Sequence, residues 1–341
     1  VHYQHHGIWF AKNGYVCLII DSIQLGEIEG IHHGTYSKNR WWWISRGYTP
    51  AGVEALNSMR AIDYLISRPE VDASRLGVTG RSGGGIYSWW LSAIDERIKV
   101  AVPTAGITDL KNYVVDGCVD GHCDCMFMAN TYRWDYTKVP SLVAPRPLLI
   151  CNTDRDPIFP LDGVHRVYQV ATSMYNDLDS KIDVGLNIVP GVHEDLPDVR
   201  LPAFRWFNHY LKGNDTIITD FGDKIFPKEQ LKVFEKLPED EINSTIDEVF
   251  VKQADPITKV LEEVSWEEAK DGWRQSLEKY VFRNWLQQDL PPALNEIDHK
   301  KNKDFDNILY RLKTDESTFL PVFRVKASSG SNKKVRIIVL D

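Results

Sequence analysis

The stretch Gly80-Arg81-Ser82-Gly83-Gly84 constrains the fold more than any other part of the chain. An apolar run, Arg75-Leu76-Gly77-Val78-Thr79, leads into it, and Gly85-Ile86-Tyr87-Ser88-Trp89-Trp90-Leu91 leads away. That is the pattern of strand, sharp turn and helix, with a serine at the apex and a glycine two residues to either side. A G-x-S-x-G turn holds its serine strained and exposed at the top of a sheet. A side chain at Gly80 or Gly84 is expected to collide with the neighbouring strand or helix. The helix points the positive end of its dipole at the serine, and the Gly83 N–H is placed as an oxyanion donor. Ser82 is therefore a candidate nucleophile. The competing reading is a glycine-rich helix start with an incidental serine.

Other strand-length apolar runs imply a sheet around this turn. Tyr15 to Ile20 is continuously apolar, as in a strand buried on both faces. Lys99 to Pro103, Pro147 to Cys151 and Ile182 to Val189 read as further strands. Helices are expected over residues 2–12, from Thr49-Pro50 (N-cap, then proline in the first turn) to about Ser67, after Pro160, and over 201–212 with Gly213 as the stop. The irregular stretch 106–139 follows a strand and reads as a lid.

The strand ends carry the remaining chemistry. After Cys151 come Asp154 and Asp156, and Asp156 fits a D-x-x-x-P turn ending at Pro160. Asp156 is preferred as the acid, with Asp154 second and Asp109 third. His193 follows the strand ending at Val189, whereas His165 and His209 fall within predicted helices. The order Ser82, Asp156, His193 is that of the α/β-hydrolases. The set is chemically coherent: serine needs a base, histidine titrates near neutrality and can return the proton, and the carboxylate fixes the imidazole tautomer.

Weaker signals surround these residues. Trp41, Trp42 and Trp43 cannot all face a core; they either wall the active-site cleft or pack under a loop. Trp43, Arg46 and Arg81 are the candidate substrate-binding residues. Neither the His32-His33 pair nor the cluster of Cys118, His122, Cys123 and Cys125 has the paired spacing of a zinc site, so no metal is expected. Cys118 could pair with Cys123 or Cys125 in an oxidising compartment. Cys17 and Cys151 read as core thiols.

Composition excludes several classes. The 341 residues carry a formal net charge of −8, and no basic cluster suggests nucleic-acid binding. No apolar run approaches the ~20 residues that span a membrane. The chain opens Val1-His2-Tyr3-Gln4, which we read as part of a longer precursor.

Five runs together resemble the acetylxylan-esterase-type branch of the α/β-hydrolases. They are Asp21 with Leu25 to Gly34, Arg46 to Pro50, Thr79 to Gly85, His122 to Met126, and Asn152 with Ile158 to Gly163. The resemblance covers about residues 1–213. It implies a mostly parallel sheet with helices on both faces, lacking its first strands, and a cofactor-independent serine esterase acting on acylated saccharide. It also favours a periplasmic or secreted location. It transfers Ser82, Asp156 and His193 as nucleophile, acid and base. A prolyl-oligopeptidase-like peptidase shares the triad order but normally adds a propeller, and no such repeat is present here. A third reading is a non-catalytic carbohydrate-binding or scaffold fragment.

Beyond this unit, 214–254 reads as a polar linker. Residues 255–341 read as an α+β segment, the start of a second hydrolase domain; the rival reading is that its strands complete the first domain's sheet by circular permutation or a swap between chains. Ser265-Trp-Glu-Glu268 is a capping box. The helix it opens places Trp266, Trp273 and Trp285 on one apolar stripe, expected as core. Asn307 to Leu312, Phe319 to Lys326 and Val335 to Leu340 read as strands.

Overall fold

The computed structural model describes residues 4–118, 124–130, 132–178, 183–282, 293–314 and 319–328. The chain divides into two compact units, Val1–Ala254 and Asp255–Asp341.

The first unit is an α/β-hydrolase fold. Helices α1 (Gln4–Lys12), α2 (Trp42–Arg46) and α3 (Pro50–Ile66) precede strand β1 (Leu76–Arg81). Then follow α4 (Gly83–Ile94), β2 (Ile98–Thr104), α5 (Val139–Val143), β3 (Leu148–Thr153), α6 (Leu161–Asp177), β4 (Val184–Val189) and α7 (Pro197–Lys212). The four strands pair in parallel in the order β1-β2-β3-β4. Local signals act as expected: Thr49 Oγ1 caps α3 by accepting the Gly52 N–H at 3.1 Å, with Pro50 behind it. Gly213, at φ +60°, ends α7.

Alternate residues of the sheet serve opposite faces, because side chains alternate along a strand. Ala101, Leu148 and Ile150 pack with Ile86, Trp89, Val164, Val167 and Tyr175 of α4 and α6. Val100, Val102, Leu149 and Cys151 pack with Trp9, Phe10, Phe204 and Phe207 of α1 and α7. The Trp9 and Phe204 rings stack at 4.0 Å.

Three sequence expectations change here. Tyr15 to Ile20 joins no ladder among the described residues, and Val16, Leu18, Ile19 and Ile20 are 40–54% exposed. A strand is buried on both faces only inside a sheet, and no described strand flanks this one. Cys17 is exposed with it, whereas Cys151 is buried in β3. The expected lid is only partly packed into the core: Tyr113, Cys125, Met126 and Tyr136 are buried, whereas Val114, Val115 and Tyr132 are exposed. Finally, 214–254 does not behave as a free linker. Ile218 and Ile246 are buried in the first unit, and Asp247, in α8 (Ile246–Val249), pairs with Arg40 at 2.6 Å.

The second unit holds α9 (Ile257–Glu263), α10 (Trp266–Ser276) and an antiparallel sheet of β5 (Ala293–Lys301), β6 (Phe305–Lys313) and β7 (Phe319–Ala327). Ser265 and Glu268 form the capping box at the start of α10. Trp266 and Trp273 remain 49% and 40% exposed, so the expected core stripe is not buried here. Trp285 and residues 335–340 lie outside the described residues. No described helix is long and apolar enough to cross a membrane.

Candidate active site

The register of β1 against β2 builds the turn. Arg81 pairs with Thr104, and the Ser82 N–H donates to the Thr104 carbonyl at 3.0 Å. Ser82 stands at φ +56°, ψ −118°, a conformation disfavoured for any residue with a Cβ. The glycines that permit it are Gly80 and Gly85. A Cβ on Gly80 would lie 2.4 Å from the Gly84 carbonyl oxygen, and one on Gly85 would lie 2.4 Å from that of Thr104. The expected collision at Gly84 is absent, since nothing lies within 4 Å of the equivalent point there.

The sheet brings three strand ends together. His193 Nδ1–H donates to Asp156 Oδ2 at 2.7 Å, and the Ser82 hydroxyl donates to His193 Nε2 at 2.9 Å. The carboxylate partner sets this tautomer. Asp156 is buried, and its Oδ1 accepts the N–H groups of Ile158 at 2.9 Å and Phe159 at 3.1 Å. These bonds fix the carboxylate, and the Phe159 ring lies beside the imidazole at 5.7 Å between centroids. The arrangement can relay a proton from a hydroxyl nucleophile to an imidazole whose charge a buried carboxylate stabilises.

The rival acids have other partners. Asp154 Oδ1 accepts the Gly191 N–H at 2.8 Å. Asp109 is bound by the Arg166 guanidinium, which overcomes the upward push of burial and holds its carboxyl below the usual range. Asp195, two residues past His193, accepts from His5 Nε2 at 2.5 Å and lies 3.4 Å from His6 Nε2. Burial pushes Asp195 up, yet the two histidines and Arg200 outweigh it and hold it well below the carboxylate range. Burial lowers His5, more than its bond to Asp195 raises it. Sequence reading missed this cluster because its parts lie 190 residues apart.

The other candidates divide. Gly83 occupies the first position of α4, next to Ser82, and Arg81 is buried at the end of β1. Trp43 is 0% exposed and packs on Ile23, Tyr48, Val53 and Ile246, which corrects the expectation that it meets substrate. Trp41 and Trp42 are 47% and 44% exposed. Arg46 is likewise engaged elsewhere, donating to the Glu248 carbonyl at 2.7 Å. Cys118 and Cys125 are not joined to each other; the Cys118 thiol donates to the Asn112 carbonyl at 2.9 Å, and burial pushes it up to about 11. His122 and Cys123 lie outside the described residues.

Comparisons with known proteins agree with this architecture. The sequence profile described as "Prolyl oligopeptidase family" matches residues 1–212. The chain is similar to the "Putative hydrolase YtaP" of Bacillus subtilis (strain 168), at 29% identity over 163 residues, which are 48% of this chain and 54% of that protein. It is also similar to the "Uncharacterized peptidase YuxL" of the same organism, at 29% identity over 121 residues, 32% of this chain and 18% of that one. The chain thus spans about half the length of the first relative and under a fifth of the second. Among solved structures, "Methylesterase BT1017" superposes with a TM-score of 0.50 at 21% identity, over 75% of this chain and 53% of that one.

Proposed function

The chain belongs to the prolyl oligopeptidase family of α/β-hydrolases, and from that premise we propose that it is a serine esterase removing acetyl or similar small acyl groups from carbohydrate. The observation that carries the hydrolase reading is the hydrogen-bonded series Ser82–His193–Asp156, at 2.9 and 2.7 Å. The ester and the sugar rest on the acetylxylan-esterase-type motifs of the sequence.

In the proposed reaction His193 takes the Ser82 proton as Oγ attacks the ester carbonyl. The Gly83 N–H faces the developing oxyanion, and the α4 dipole favours the same charge. His193 then protonates the leaving sugar hydroxyl. Water, activated by the same imidazole, releases the acyl group. No step requires a cofactor. Trp41 and Trp42 are 47% and 44% exposed, and of the two Trp41 is the better platform for a sugar, because the Arg46 guanidinium lies over the Trp42 ring at 6.0 Å.

The family name favours one rival, a serine peptidase. A substrate panel separates the two: 4-nitrophenyl acetate, acetylated xylo-oligosaccharides and a proline-containing peptide anilide. The esterase reading expects turnover of the first two and little of the third. Faster turnover of the anilide would replace it with the peptidase reading.

A further inference from the structure

Three residues that the proposed hydrolytic chemistry does not use meet beside Gly83. His32 comes from the loop before α2, Glu54 from α3, and Cys125 from the short turn Asp124–Met126. Each offers one donor atom, these atoms lie within 4.8 Å of one another, and all three residues are buried. Glu54 and Cys125 are 0% exposed. His32 Nδ1–H donates to the Ile23 carbonyl at 2.5 Å, which puts the ring lone pair on Nε2. A backbone carbonyl holding the other ring nitrogen is how metal-binding histidines are oriented. A Cβ on Gly83 would lie 3.9 Å from Cys125 Sγ, so the cluster adjoins the start of α4.

Tyr87, which hydrogen-bonds to Glu54, borders the cluster. A second histidine–carboxylate group, His5, His6 and Asp195, is less suited, because the Arg200 guanidinium lies 3.7 Å from that carboxylate.

We propose that His32, Glu54 and Cys125 form a site for a divalent transition-metal ion, with zinc the ion their donors fit. Imidazole, carboxylate and thiolate are the ligand types of a borderline-soft tetrahedral ion. Bond lengths of about 2.0–2.3 Å set donors ~3.5 Å apart around such an ion, so small rotations of these side chains close the site. The ion ties the 30–34 loop, α3 and the 124–126 turn together beside α4. This site stands apart from the esterase reading, and its test does not depend on activity.

The full chain, stripped with chelator under reducing conditions, is titrated with Co²⁺. We expect thiolate-to-cobalt charge-transfer absorption in the near ultraviolet with intense tetrahedral visible bands. Both should saturate at one ion per chain and be displaced by Zn²⁺, with a rise in melting temperature. The bands should vanish in Cys125→Ser and Glu54→Gln and persist in Cys118→Ser and His5→Gln. Absence of the bands from the wild-type chain overturns the site, as does their persistence in a folded Cys125→Ser variant. Should Cys125→Ser fail to fold, the isosteric Glu54→Gln carries the comparison. Bands unchanged in that variant would leave an ordinary buried His–Glu pair and no metal site.

Discussion

Asp154 Oδ1 accepts the Gly191 N–H at 2.8 Å, while Asp156, two residues on, accepts His193 Nδ1–H at 2.7 Å. Both carboxylates follow β3, and both hold the turn that carries the imidazole, one through backbone and one through the ring. Asp156→Asn should therefore lower kcat for 4-nitrophenyl acetate by ~10⁴-fold, because the amide favours the wrong histidine tautomer. Asp154→Asn keeps an acceptor oxygen for the part-buried Gly191 N–H and removes only the charge, so it should cost less than about tenfold. Steady-state kinetics on the two variants measure the contrast, and equal losses would contradict the assignment.

The glycines of the turn are unequal. Gly85→Ala must displace the Thr104 carbonyl or α4, whereas Gly84→Ala enters open space within a helix. We expect Gly85→Ala to unfold at clearly lower urea concentration. Gly84→Ala should be neutral or gain up to ~1 kcal/mol, the usual helical preference for alanine. Equilibrium urea unfolding of both variants checks the order.

The tryptophans should separate stability from binding. Trp43→Ala empties a fully buried site and should cost about 3–5 kcal/mol. Trp41→Ala removes an exposed ring; we expect little change in melting temperature, a raised KM for acetylated oligosaccharide and an unchanged KM for 4-nitrophenyl acetate. A Trp41→Ala variant with unchanged oligosaccharide kinetics would remove this residue from the proposed sugar site.

Stability should fall with acid in a definite window. Burial holds His5 below its ordinary value of 6.5, so the unfolded chain binds the proton more readily. Stability is lost as pH falls below about 6.5, the unfolded value. Asp195, held low by His5, His6 and Arg200, adds a further loss as pH falls below the ordinary carboxylate value of 3.8. Melting temperatures from pH 7.5 to 5 should decline in the wild-type chain and flatten in His5→Gln. An equal decline in that variant would assign the effect to other groups.

The three residues of the catalytic arrangement were legible because each follows a strand, where local pattern and chemistry coincide. Asp156 was separable from Asp154 by its spacing to Pro160. Glu54 gave no such signal: on α3 it looks like any helical glutamate, and only the fold shows its burial beside His32 and Cys125. Strand β5 was missed because a bulge between Glu296 and Asp298 sets Leu294 and Ile297 three residues apart, breaking the period of two. Tyr15 to Ile20 has the composition of a central strand, but composition does not supply the neighbours that would bury it. Trp43 is the reverse case, one of three consecutive tryptophans at the start of a short helix, which tertiary contacts bury completely while its two neighbours stay exposed.

The most direct test of the central claim is covalent labelling of the wild-type chain by a fluorophosphonate, with the adduct located by peptide mass spectrometry. We expect one adduct, on Ser82, its formation slowed by orders of magnitude in His193→Ala and absent in Ser82→Ala. An unlabelled wild-type chain, or an adduct that persists in Ser82→Ala, would contradict Ser82 as the activated nucleophile and the esterase reading with it.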